Sequence, residues 1–204
     1  YWIKLAKDIE DIGASSLAIK DMAGLLRPRT CYELVKKLKK NLNIPIHLHT
    51  HSTTGLSDAT NFKAYEAGID NIDTSISSFS NLYAHTATES FISMMYSEEK
   101  NPFDMELLTK ISVYFNEVRK KYKKYEGSMR GVDVNMLINQ VPGGMLSILE
   151  KQLLDLNKAD KFKLLIDEIP KIRKDVGYVP LVTPSSQIVG AQALSLIHIS
   201  EPTR

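Results

Sequence analysis

Three short apolar runs, each set behind a helical pattern, constrain this chain more than any other feature. Ser16-Leu17-Ala18-Ile19 ends at Lys20-Asp21, Ile44 to His51 alternates apolar and polar residues, and Asn71 to Ile76 forms a third run. Each has the length of a strand. Before the first, Ile3, Leu5-Ala6, Ile9 and Ile12 keep near-helical spacing, with Gly13 as a stop. Pro28 opens a second helix, with Cys31, Leu34, Val35 and Leu38 as the predicted buried stripe and Lys36-Lys37, Lys39-Lys40 on the solvated face. A third spans Leu56 to Glu66, with Leu56, Ala59, Phe62 and Ala67 predicted inward and Gly68 as its stop. Helices and strands alternating through short connections predict βα units around a parallel sheet. Functional groups where strands end fit the C-terminal face of a (β/α)8 barrel. Three units cannot close a barrel. The expected fold is α/β, a partial TIM barrel made of its last three βα units, with the missing strands before Tyr1.

From Ala84 onward the pattern is helical only. Thr86 to Ser97 is one candidate, with Phe91, Met94 and Met95 inward as core filler. Pro102 to Tyr122 is a second, carrying Leu107-Leu108, Ile111, Phe115 and Val118 on one face. Leu146 to Leu156 and Lys161 to Lys174 follow, separated from the rest by Pro142-Gly143-Gly144 and perturbed by Pro170. The expected organisation is the end of a barrel over residues 1–83 and a helical C-terminal extension over 84–193, packed on the barrel's open end.

A chain of 204 residues that is 43% hydrophobic can bury the core of one domain, or of one domain and an appendage. A net charge of +2 argues against a dedicated nucleic-acid or anionic-membrane surface, so no nucleic-acid partner is expected. The basic run Arg119 to Lys124 reads as the solvated last turn of a helix beside its C-terminal dipole. Cys31 is the single cysteine, which rules out an internal disulfide and favours a cytoplasmic setting. No apolar run approaches the roughly 18 residues of a membrane span. Tyr1 to Ala6 looks like the middle of an amphipathic helix, without a signal peptide, a cap or an initiator Met. The chain is expected to be the C-terminal portion of a longer protein.

The second strand carries the chemistry. In Ile46-His47-Leu48-His49-Thr50-His51 the apolar residues and Thr50 share one face, and three imidazoles share the other. Alternate histidines at a strand end project together, close enough to share one ion, and neutral imidazole is the commonest ligand for transition metals. Two His with no nearby Cys suit Zn, Mn or Co, with room for an oxygen ligand and a substrate. Histidines hydrogen-bonded within a polar barrel interior would produce the same spacing.

Four motifs, in order, carry a resemblance that covers nearly the whole chain. They are Ile19-Lys20-Asp21-Met22-Ala23-Gly24-Leu25-Leu26, Pro45 to His51, Asn139-Gln140-Val141-Pro142-Gly143-Gly144-Met145-Leu146, and Val182-Thr183-Pro184-Ser185-Ser186-Gln187-Ile188-Val189-Gly190. Together they resemble the biotin-dependent carboxyltransferase family, which includes the central domain of pyruvate carboxylase, the pyruvate-handling subunit of transcarboxylase and the alpha subunit of oxaloacetate decarboxylase. The resemblance implies that Lys20 is carbamylated and ligates a divalent metal together with His49 and His51. Addition of CO2 to a neutral amine makes an oxygen donor with carboxylate-like charge, which an ammonium cannot be. It also implies that Thr183 relays a proton between biotin's ring nitrogen and the enol of pyruvate, a task suited to a hydroxyl that donates and accepts at once. Thr183-Pro184 is equally a helix start signal. Ser186 is a cofactor-binding candidate beside it. His47, one pleat deeper, is expected to hydrogen-bond rather than ligate.

The partners implied are pyruvate or oxaloacetate, a biotin carrier domain, membrane decarboxylase subunits and, for the full-length protein, further copies of itself. An aspartate ligand and substrate-holding residues would come from earlier strands, so this portion alone is predicted to be inactive. Ser52 replaces the family's acid after His-Thr-His, and Ala84-His85-Thr86 replaces its Ser-Gln-Pro, so His85 receives no role. Gln187 and Gly143-Gly144-Met145-Leu146 favour the decarboxylase alpha subunit over pyruvate carboxylase. The alternatives are a related HxH metal barrel acting on acyl-CoA as lyase or synthase, and a scaffold subunit without chemistry. Leu194 to Arg204 fit neither the preceding helix nor the family's continuation; residues 194–204 are read as a non-native tail, and His198 is set aside with them.

Overall fold

The structure, a computed structural model, describes residues 1–127 and 129–199. Helix α1 (Trp2–Asp11) leads into β1 (Leu17–Asp21), α2 (Pro28–Asn41) into β2 (Ile46–Thr50), and α3 (Ser57–Glu66) into β3 (Asn71–Ile72). The strands form a parallel sheet in the order β1-β2-β3. Leu17 pairs with Ile46, Ile19 with Leu48 and Lys20 with His49, while Leu48 pairs with Ile72.

The side-chain alternation of the strands sorts apolar from polar. Ile46, Leu48 and Thr50 are buried and His47 and His49 only partly so, as the sequence pattern requires. Helices cover the apolar face. Cys31 and Val35 of α2 pack with Leu48, Ala64 and Ala67, and Ala6 packs with Leu38, Leu42 and Ile46. The opposite face carries Ala18, Lys20, His47 and His49.

Of the stripe predicted for α3, Ala67 is buried as expected, but the helix itself turns other residues inward. Ser57, Thr60, Asn61 and Ala64 are inward and Ala59 is exposed. Polar partners at the strand ends decide the rotation: Thr60 Oγ1 donates to the Leu26 carbonyl at 2.7 Å and Asn61 Nδ2 to Thr86 Oγ1 at 3.0 Å. The third strand is also shorter than predicted. Beyond Ile72 the Asp73 amide still donates to the Leu48 carbonyl at 3.0 Å, then the chain leaves the ladder and Ser75 bridges Ala87.

Helices α4 (Thr88–Met95), α5 (Met105–Lys121), α6 (Met136–Asn139), α7 (Gly143–Asp155), α8 (Phe162–Asp175) and α9 (Ser185–Ile199) complete the described chain. In α4 it is Phe91 and Ile92 that are buried; Met94, predicted inward, is 44% exposed on a helix that starts later than expected. In α5, capped by the Asp104 side chain on the Leu107 amide, Leu107 is exposed and Ser112 is the buried residue, bonded to Ser77 at 2.6 Å. The last turn of α5 carries Arg119, Lys120 and Lys121, as the dipole argument predicts.

The helical part has its own core, built from Met145, Leu146, Leu149, Leu165, Ile169 and Val189 among others, with Tyr83 packed against it. Gly143 joins the two parts. A Cβ there would meet Thr53 Oγ1 at 2.7 Å and the Tyr83 ring at 3.0 Å, so the start of α7 approaches the loops after β2 and β3 as only glycine allows. Helix α9 corrects one expectation. It runs on through Ile199, and Val189, Ala193 and Ile197 are buried at every fourth position, so residues 194–199 continue the helix before them. Residues 200–204 of the expected tail, and the side chain of His198, lie outside the described residues.

Candidate metal centre and adjoining cavity

All three strands point the same way, so their C-terminal ends form one rim. Lys20-Asp21 ends β1, His49 and His51 lie at the end of β2, and Asp73 follows β3. Asp21 works as structure. Its carboxylate accepts from the Leu25 and Leu26 amides and from Thr50 Oγ1, each at 2.9 Å, which folds the loop after β1 back on the rim. Gly24 in that loop has φ +66°, and a Cβ would lie 2.5 Å from the His51 carbonyl oxygen. Only glycine permits both the conformation and the approach.

His49, His51 and His85 converge. One nitrogen from each lies within 4.8 Å of the others, and the ring centroids are 5.1, 4.5 and 4.6 Å apart. Acceptor-only partners fix the tautomers. Nδ1 of His49 donates to the Asp73 carboxylate at 2.6 Å, Nδ1 of His51 to the Tyr83 carbonyl at 2.5 Å, and Nδ1 of His85 to the Thr50 carbonyl at 2.8 Å. Each neutral ring therefore keeps its lone pair on Nε2, the atom a metal takes. His51 Nε2 is buried and has no hydrogen-bond partner. Burial also pushes the His51 imidazole pKa down, against the opposing pull of the Tyr83 carbonyl, and so favours the neutral, ligating form. These residues fit a divalent transition metal.

Asp73 holds two rings at once. Its other oxygen accepts from His47 Nε2 at 2.7 Å, so His47 hydrogen-bonds as expected. Partial burial works against the Asp73 charge, but the bonds from His49 and His47 prevail and hold its carboxyl below the usual carboxylate range.

Lys20 links this rim to a cavity. It pairs with His49 across β1 and β2, which puts both side chains on one face of the sheet. It also lines a cavity of about 820 Å³ with Met22, Met145, Gln152, Thr183 and Ser186. Thr183 is exposed on that wall, and its hydroxyl takes no protein partner among the described residues. The expected capping role falls elsewhere. Helix α9 starts at Ser185, and the Pro184 carbonyl accepts from the Gln187 and Ile188 amides, so Pro184 occupies the place a cap would take.

Two residues escaped the sequence patterning. Asp73 follows a strand now seen to be two residues long, and its role depends on a cross-strand neighbour. His85 lies far along the chain from the HxH pair, and the loop from Thr74 to Thr86 returns it to the rim. The Ser52 amide bonds to the Ala84 carbonyl at 2.8 Å and the Ser75 amide to the Thr86 carbonyl at 3.0 Å.

A family model described as HMGL-like matches residues 1–115, and one described as a conserved carboxylase domain matches residues 136–202. The chain is 46% identical to a pyruvate carboxylase subunit of Methanocaldococcus jannaschii over 95% of its length and 34% of that protein's. It is 43% identical to the methylmalonyl-CoA carboxyltransferase 5S subunit of Propionibacterium freudenreichii subsp. shermanii, over 100% of its length and 41% of that protein's. It thus spans well under half the length of these relatives. The solved carboxyl transferase domain of Rhizobium etli pyruvate carboxylase superposes with a TM-score of 0.92 at 31% identity, covering 100% of this chain and 36% of that one.

Proposed function

Since the chain belongs to the biotin-dependent carboxyltransferase family, we propose that it forms the end of the barrel and the helical extension of an enzyme that moves a carboxyl group between biotin and a keto acid, with pyruvate and oxaloacetate as the pair. The observation that carries this is the placement of Lys20, which pairs with His49 on one side and shares a cavity wall with Thr183 and Ser186 on the other. A metal rim and a hydroxyl relay on one cavity are what the transfer needs.

His49, His51 and a carbamylated Lys20 would hold a divalent metal, Zn, Mn or Co. Such an ion polarises the keto acid's oxygens and stabilises enolate charge. In the direction of carboxylation, biotin on its carrier would supply the carboxyl group, releasing its ring nitrogen as the methyl carbon of pyruvate takes the carboxyl. Thr183 Oγ1 would carry the methyl proton to that ring nitrogen, and the reverse path would decarboxylate oxaloacetate. Ser186, which lines the same cavity as Thr183, would contact the biotin ring.

The names of the relatives support a pyruvate carboxylase whose chains are divided between separate subunits, while Gln187 and the Gly143 to Leu146 segment support an oxaloacetate decarboxylase alpha subunit. Both use a biotin carrier domain, and the decarboxylase would add membrane subunits. Among the described residues no helix is long and apolar enough to cross a membrane. Exchange of labelled pyruvate into oxaloacetate by the intact protein tests the proposal. Exchange that needs both metal and carrier biotin supports it; no exchange with metal and biotinylated carrier at saturation overturns it. ATP-dependent carboxylation selects the carboxylase, and ATP-independent loss of CO2 from oxaloacetate the decarboxylase.

A further inference from the structure

We propose that His85 is a third imidazole ligand of the divalent ion at His49 and His51, which rests on the metal-centre reading above. His85 is neither on the strand that carries the HxH pair nor in any of the motifs that suggested the family. Its position follows from the fold alone.

Three independent features of the structure bring it there. The backbone around His85 is pinned on both sides: the Asn81 amide donates to its carbonyl at 2.7 Å, and the next residues run beside Ser75 as a parallel bridge. Its Nδ1–H is committed to the Thr50 carbonyl, inside the strand that bears His49, so the ring plane is set and Nε2 carries the lone pair. The third feature is the rim itself, where one nitrogen from each of the three rings lies within 4.8 Å of the others. With all three Nδ1 atoms donating to acceptors, Nε2 is the nitrogen each ring has left to offer a metal, and the three rings face one small volume. One of these nitrogens, buried His51 Nε2, has no donor to receive. Like-directed lone pairs repel, and a buried acceptor without a donor is unfavourable. A cation removes both penalties together. Zn–N bonds near 2.0–2.1 Å keep any two ligating nitrogens within about 4.2 Å of each other, so the rings need only close in from the present limit of 4.8 Å. Lys20 then adds an oxygen ligand to a site already able to bind metal.

The test uses the intact protein, with Co(II) and Zn(II) as probes. His85→Asn keeps a donor to the Thr50 carbonyl and removes only the ligating nitrogen; His49→Ala removes a ligand of the HxH pair. The expected result is a fall in zinc affinity of at least about tenfold for His85→Asn, with altered cobalt absorption bands and with the circular dichroism and melting of the metal-free protein unchanged. If His49→Ala loses metal while His85→Asn keeps the parental affinity and cobalt spectrum, His85 is no ligand and the two-histidine site stands. If both variants bind as the parent does, the metal-centre reading fails and this inference with it. Pulsed electron paramagnetic resonance of the Cu(II)-loaded parent counts imidazoles without any substitution: three coupled rings support the proposal, and two overturn it.

Discussion

Lys20 and His49 are register partners across β1 and β2, one pleat from the end of each strand. Side chains so paired share a face and stand a strand spacing apart, so an amine and an imidazole from different βα units address the same space. The pairing is set by Leu17 against Ile46 and Ile19 against Leu48, whose burial fixes the register. A slip of one residue by either strand would turn its own member of this pair toward the helices.

The metal role proposed for Lys20 requires a carbamate. In the intact protein at neutral pH and ambient CO2, Lys20 should carry the added mass of one CO2 when analysed without acid. Lys20→Arg cannot form it and should weaken metal affinity by about 10–100-fold while leaving the histidines able to bind. An unmodified Lys20 in fully metallated protein would remove the carbamate from the mechanism.

Asp73 acts through His49. Its carboxylate fixes the ring by accepting from Nδ1 at 2.6 Å, so Asp73→Asn should lower metal affinity by about 10–100-fold. His47→Ala removes the second bond to Asp73 and no ligand, so its effect should stay within a few-fold. Equal losses in the two variants, by competitive titration with a chelator, would place His47 among the ligands.

Thr183 should govern transfer and not metal. Thr183→Ala removes the hydroxyl from the cavity wall and should slow pyruvate–oxaloacetate exchange by about 10²–10⁴-fold, whereas Thr183→Ser should recover most of the rate. Metal content should match the parent in both. A Thr183→Ala protein that exchanges at the parental rate would end the relay.

The elements were legible because their signals are local. Strand alternation in Ile46 to Thr50 and the Cys31, Val35, Leu38 stripe each reflect one face meeting one core, and both stand in the structure. What was lost depended on partners distant in sequence. Asn61 and Thr60 turn α3 inward because Thr86 and Leu26 receive their hydrogen bonds, a fact no helical wheel contains. His85 reaches the rim through a loop whose path is written in backbone pairing. Val189, Ala193 and Ile197 did form a visible stripe, hidden by the unfamiliar composition that followed it.

Asp70 joins β2 to α2 by accepting from the Ile46 amide and from Lys39 Nζ, each at 2.7 Å. The Lys39 bond and then the Ile46 amide hold its carboxyl below the ordinary value. A depressed folded pKa stabilises the fold above the unfolded pKa, and that contribution disappears as pH falls through the folded value. Asp70→Asn should therefore cost about 1 kcal/mol near neutral pH, and the difference from the parent should close in acid. A gap that persists in acid would assign the loss to packing.

Cys31 offers the opposite sign. It is fully buried among Val35, Leu48, Ala64 and Ala67. Burial first, and the Asp21 charge second, push its thiol from 9.0 up to about 12. The thiolate is the reactive form, so native protein at mildly alkaline pH should resist iodoacetamide, and denatured protein should react at once. Linkage sets the stability. A thiol that stays protonated in the fold and ionises when unfolded stabilises the native state fully below pH 9.0, and this is lost progressively as pH rises toward about 12. Cys31→Ala has no thiol to titrate, so its unfolding free energy should fall less steeply than the parent's across that interval. Parallel slopes in denaturant titrations, or rapid alkylation of the native protein, would show that the thiol meets solvent and that α2 does not seal the apolar face of the sheet.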